Sequence, residues 1–185
     1  MRKTIARALL KAMGARYDYD VSYMLAMLET SPKAFDKFAK VFALAQHRES
    51  APKEAVIAAK LVGAMAEDCG PCVQLVVNFG KEQRVAARDI EAVLTRERAR
   101  MSEAAALGFA FAEALVHRLP HEDEAREAVR EAWGDKGVVD LTLACQIGRI
   151  FPMVKAGLGY AKECRRVRVD GRDVDVIKID RALAA

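Results

Sequence analysis

Two stretches with helical spacing meet at Cys69-Gly70-Pro71-Cys72, and the Gly-Pro step fixes where one stops and the next begins. Proline disfavours helical geometry in the residue before it but suits the first turn of a new helix. Upstream, the helix expected from Ser50-Ala51-Pro52 carries Val56, Ala59, Lys60, Val62, Gly63 and Ala66 to the acidic pair Glu67 and Asp68. Downstream, a helix is predicted from about Pro71 through Leu75, Val76 and Phe79 towards Gln83. The two thiols therefore fall in a helix–turn–helix setting.

The rest of the chain extends that pattern. Apolar residues make up 52% and aromatics only 6%, with Ala, Leu and Val dominant, which favours closely packed helices over an aromatic-rich sandwich. Residues 3–13 and 21–29 read as helices separated by Gly14 and the polar stretch around Asp18. Ser31-Pro32 starts another, continued by Phe35, Phe38, Ala39, Phe42 and Ala45. Helices are expected over 87–95 and 102–118, from Pro120 to Trp133-Gly134, and from Leu141 to Lys162 with Pro152 kinking or splitting the last. The tail alternates apolar and polar residues about Asp170-Gly171, a hairpin signal. A lone hairpin is marginal, so it must pack on the helices or on another subunit. The expected architecture is one all-α domain, 1–185. It has N-terminal helices at 1–50, a CxxC core at 51–165 and a small C-terminal β-hairpin at 166–180.

The totals exclude several function classes. A net charge of +4 is modest, and the one basic cluster (Arg165, Arg166, Arg168) lacks interleaved aromatics, so no nucleic-acid partner is expected. No apolar run approaches the roughly 20 residues of a membrane span, and the basic N-terminus is followed by no long apolar segment. A cytoplasmic protein with no membrane partner is the expectation. Four cysteines are too few for a disulfide framework, and in a reducing compartment a CxxC pair more often serves redox or metal chemistry. No Gly-rich phosphate loop is present. His117 and His121 flank Leu119-Pro120 and could become ligands only if another element approached them, and His47 reads as a helix-end or solvent residue.

Thiol chemistry needs the thiolate, so a site must lower a thiol pKa from about 8.5. The N-terminus of the downstream helix would act on Cys72 in its first turn and on Cys69 just before it. Glu67 and Asp68 act in the opposite sense and suit proton transfer better than thiolate stabilisation. Zinc is the rival use of paired thiolates. A four-thiolate site needs a second pair, however, and Cys145 and Cys164 are isolated in apolar helical contexts, as inert core thiols would be. No metal or other cofactor is expected. Two readings stay open: a thiol-dependent redox protein cycling the Cys69/Cys72 disulfide, or a non-catalytic helical oligomer whose pair is structural or a redox switch.

Cys-Gly-Pro-Cys is also the thioredoxin motif, but there it follows a buried strand and a tryptophan in an alternating βαβ fold. Ala55 to Ala66 has helical spacing and no nearby tryptophan, so that fold is rejected. Instead, the run Lys60-Leu61-Val62-Gly63-Ala64-Met65-Ala66-Glu67-Asp68-Cys69-Gly70-Pro71-Cys72-Val73-Gln74-Leu75 resembles the alkyl hydroperoxidase D-like branch of the carboxymuconolactone decarboxylase family. Gly134 to Ala144 resembles that family's later helix, which packs beside the cysteine helix.

The resemblance implies an all-α homo-oligomer with a redox-active pair and peroxidase activity on a small hydroperoxide, recharged by a dithiol electron-donor protein. Decarboxylation, which does not call for a CxxC, is the lesser expectation. By the same resemblance Cys72 attacks the hydroperoxide and Cys69 resolves it. The family pattern keeps a histidine four residues after the second cysteine and a glutamate twelve before the first. This chain has Val76 and Ile57 at those positions, with Glu54 nearly one turn earlier. Glu67, Asp68 and Gln74 are the nearest replacements in sequence, with Glu67 and Asp68 the expected proton relay.

Overall fold

The computed structural model describes residues 3–161 and 166–177. Its organising element is α5 (Lys53–Ala66), in which every residue from Ala55 to Met65 is buried. A helix apolar on all sides has to be covered on all sides. α8 (Glu103–His117) and α9 (Glu122–Gly157) pack along it, with α6 (Gly70–Glu82) and α7 (Ala87–Leu94) against the remaining surface. Small residues set the spacing. A Cβ on Gly63 would lie 2.2 Å from the Cys145 carbonyl oxygen, and one on Gly148 would lie 2.3 Å from that of Lys60. α5 and α9 therefore meet backbone to backbone.

A second apolar cluster gathers α1 (Lys3–Tyr17), α2 (Ser22–Thr30) and α3 (Pro32–Phe38), with the short α4 (Val41–Leu44) at its margin. Leu10, Tyr23, Met24, Leu28 and Phe35 form its centre, and Cys69 and Cys72 belong to it rather than to the cluster around α5. The chain closes with an antiparallel hairpin, β1 (Arg166–Val169) and β2 (Arg172–Asp175). Asp170 and Gly171 at its turn have φ of 47° and 79°, the positive values a tight two-residue hairpin turn needs. Val167 and Val169 are buried, and the Ile177 N–H donates to the Leu94 carbonyl, so the hairpin is docked on α6 and α7. The molecule is all-α with a small C-terminal β-hairpin, as its sequence predicts.

Several boundaries differ from expectation. Gly14 does not stop the first helix, which runs on to Tyr17 and ends where Asp18 turns left-handed (φ 48°). The helix expected from Ser31-Pro32 through Ala45 is broken at Ala39-Lys40, where three-residue hydrogen bonds (Lys40 to Lys37, Phe42 to Ala39, Ala43 to Lys40) replace the α pattern. Gly134 is a true break, with φ 70° and ψ −175°, a conformation that suits glycine. The helix resumes directly after it rather than at Leu141, continues through buried Pro152, and ends at Gly157. Lys162 and residues 178–180 of the expected hairpin lie outside the described residues.

α9 is also long and apolar enough to cross a membrane by length and composition, with mean hydropathy 1.3 over its most apolar window. The expectation that no apolar run approaches a span's length missed this. Of that window, 44% is buried inside the fold.

Candidate functional site

The cysteine turn is built in four residues. α5 ends at Ala66, Glu67 caps it, and Asp68 enters the left-handed region (φ 52°), which swings the chain round. Cys69 is extended (φ −112°, ψ 93°) and occupies the N-cap of α6, with Pro71 in the first turn where its missing N–H costs no helical bond. The Cys69 carbonyl accepts from the N–H groups of both Cys72 and Val73 at 3.0 Å. This geometry brings the two sulfurs to 2.6 Å while leaving both cysteines free, 1% and 4% exposed. That is beyond the roughly 2.05 Å of a disulfide bond, and a small side-chain adjustment would close one.

The two neighbouring thiols titrate as one coupled pair. The Cys72 thiol holds the Cys69 thiolate down to about 7, against the opposing effect of burial; the Cys72 backbone amide and the positive charge of Lys155 add to the lowering. Cys72 is pushed up, first by its bond to Cys69 and then by burial. The helix N-terminus was expected to act on both thiols. Of the two, Cys69 carries the lowered value, chiefly through its contact with the Cys72 side chain. The charge of Asp68 raises Cys69, the sense expected of an adjacent carboxylate.

The other predicted residues are distributed differently. Glu67 is turned towards α9, its Oε1 accepting from Arg149 Nε at 2.7 Å. Gln74 is not at the cysteines. Its amide Nε2 donates to the Arg168 carbonyl and its Oε1 accepts from the Arg168 N–H at 2.6 Å, a strand-like pairing that pins the hairpin to α6. Val76 and Ile57 are buried apolar side chains. Cys145 is fully buried in α9, and burial pushes its thiol up to about 12, the behaviour of an inert core thiol. Cys164 lies outside the described residues. His47 is engaged with Asp140, 3.4 Å from its Oδ1, and His117 with Glu113 at 3.9 Å. Among the described residues no cluster of three His, Cys, Asp or Glu side chains is placed to hold a metal ion.

Sequence reasoning missed three neighbours. The Tyr19 hydroxyl lies 3.5 Å from Cys72 Sγ and 3.4 Å from the Tyr23 hydroxyl, all buried. Burial keeps both phenols protonated by raising them above the ordinary tyrosine value, so each remains a hydrogen-bond donor. Behind them stands Lys155, fully buried, its Nζ 4.9 Å from the Tyr19 ring centre, 5.7 Å from that of Tyr23 and 3.9 Å from Asp20 Oδ2. A lysine inside the apolar run Phe151-Pro152-Met153-Val154 and Ala156 was the available signal. The tyrosines offered none, because 53 residues separate Tyr19 from Cys72.

Cys72, Tyr19 and Tyr23 open on a cavity of about 460 Å³ between the two apolar clusters, within the range of small-molecule sites. Its walls include Met24, Phe42, Val76, Phe79 and Phe151, and its polar lining includes His47, Arg48 and Lys60. Lys60 Nζ donates to the Ala45 carbonyl at 2.7 Å. Burial lowers its ammonium to about 8, with a smaller push from the charge of Arg48. Glu82, also in the lining, is held by Arg16 and Tyr17.

Comparison with family models, curated proteins and solved structures found no match to this chain.

Proposed function

We propose that the chain is a thiol-dependent redox protein of the alkyl hydroperoxidase D-like kind, reducing a hydroperoxide by cycling Cys69 and Cys72 between dithiol and disulfide. The observation that carries this reading is the 2.6 Å approach of two free sulfurs, the Cys69 thiol lowered to about 7 and Cys72 at the wall of a cavity. Cys69, ionised near neutral pH, acts as the base: it takes the proton of Cys72, which lines the cavity and is left as the attacking thiolate. That sulfur attacks the distal peroxide oxygen. An S–O bond forms, the O–O bond breaks, and the alkoxide leaves as alcohol with the proton from Cys69. The Cys69 thiolate then displaces hydroxide from the Cys72 sulfenic acid, forming the disulfide; the hydroxide leaves as water with a proton from solvent. A dithiol electron-donor protein returns two electrons and two protons.

With Val76 and Ile57 in place of the family's acid–base pair, the Tyr19 hydroxyl is the polar group that stands 3.5 Å from the reacting sulfur. Of the two carboxylates, Glu67 is held by Arg149, while the charge of Asp68 acts on Cys69. A positioned acid–base group is worth about 10²–10⁴ in rate, so turnover slower than a histidine-equipped relative's is expected. Cys72→Ser should abolish steady-state reduction of an organic hydroperoxide. Cys69→Ser should allow one stoichiometric reaction that stops at sulfenic acid. Survival of turnover in Cys72→Ser would overturn the proposal. The homo-oligomer that the resemblance implies belongs to the same reading, and a mass measurement at micromolar concentration tests it.

A further inference from the structure

The cavity beside Cys72 has an uncompensated positive region. Lys60 is 7% exposed and makes one hydrogen bond, to a neutral carbonyl. Among the described residues no carboxylate lies within 4 Å of Lys60 or of Arg48, whose guanidinium is used by the Ala51 carbonyl at 3.3 Å. An ammonium has three donors, and a buried cation is costly unless paired. The acidic groups nearby are already committed. Asp140 is held by the backbone N–H groups of Glu49, Ser50 and Ala51 and by His47, and Glu82 by Arg16 and Tyr17. The remaining lining is dominated by apolar and aromatic side chains.

We infer that the cavity takes an amphipathic acid, its carboxylate held by Lys60 with help from Arg48 and its apolar chain lying among Met24, Phe42, Val76 and Phe151 towards Cys72. A charged donor in a largely apolar wall recognises a carboxylate strongly, while the apolar lining accepts a hydrocarbon chain without demanding one sequence of contacts. The occupant is thus an aliphatic carboxylate, and, resting on the redox reading above, the substrate is the hydroperoxide of such an acid rather than a neutral alkyl hydroperoxide.

The test separates binding from chemistry. Calorimetric titration of the Cys69→Ser/Cys72→Ser protein, which has no redox cycle, with decanoate and with decanol should show decanoate binding about tenfold or more tighter. Lys60→Met should remove that preference, and Lys60→Arg should restore much of it. The exposed Arg48→Gln should weaken decanoate by a smaller factor and leave decanol unchanged. Equal affinity for acid and alcohol in the parent protein, or an unchanged preference in a folded Lys60→Met variant, would overturn the inference. Neither outcome bears on hydroperoxide turnover in the wild-type protein, which tests the redox reading alone.

Discussion

A phenol hydroxyl against a buried sulfur is a small feature with a measurable effect. The Tyr19 hydroxyl, 3.5 Å from Cys72 Sγ, lowers that thiol against the burial that raises it. Tyr19→Phe should therefore raise the apparent pKa of the pair and slow hydroperoxide reduction by about tenfold, at the lower end of what acid–base groups contribute. The pH profile of the wild type follows from Cys69. A thiol lowered to about 7 is protonated below that value and ionised above it. Alkylation by iodoacetamide should fall with decreasing pH below 7 and level off above it, whereas unperturbed thiols would keep accelerating to beyond pH 8.5. Coincidence of the profile with that of a free thiol would sink the redox reading at its root.

The elements are held by devices that range from visible to invisible in a linear chain. Ser31 and Ser102 cap α3 and α8, and Pro71 sits in the first turn of α6, all as local chemistry dictates. Asp170-Gly171 makes its hairpin for the same reason. Asp140 is different. Its fully buried carboxylate collects the N–H groups of Glu49, Ser50 and Ala51, 89 to 91 residues away, and so fixes the start of α5 from the middle of α9.

Burial opposes ionisation of Asp140, but those amides prevail and its carboxyl titrates below the ordinary range. The sign follows. Its stabilisation is complete above the usual carboxylate pKa of about 3.9 and is lost as pH falls through the depressed value. Asp140→Asn should cost about 2 kcal/mol at neutral pH in denaturant unfolding and flatten the acid limb of the stability profile. Gly148→Ala should cost about 3 kcal/mol, since its methyl meets the Lys60 carbonyl. The cysteine pair was legible because its chemistry is four residues long. Asp140, Tyr19 and Lys155 were not, because their roles exist only once distant segments meet. The break at Ala39-Lys40 was hidden by apolar spacing that continues smoothly across it.

At the scale of the molecule, the reactive sulfurs belong to the N-terminal cluster while the turn that carries them hangs from the end of α5. A small hydroperoxide can be accommodated in the cavity. A protein-sized reductant cannot reach sulfurs that are 1% and 4% exposed. On the redox reading proposed above, recharging a disulfide would call for α1–α3 to open from the α5 cluster, a partial unfolding whose free energy is smaller than that of the whole chain. Native-state hydrogen exchange should show amides of α1 and α2 exchanging together, faster than those of α5, and oxidation to the disulfide should alter their rate more than that of α8. Exchange of α1 and α5 at one common rate would mean that the N-terminal helices do not open separately. If they do open separately, the seam between two cores would make a protein of the proposed redox kind a gated electron acceptor, its speed set by how often a door of helices stands ajar rather than by the chemistry of sulfur.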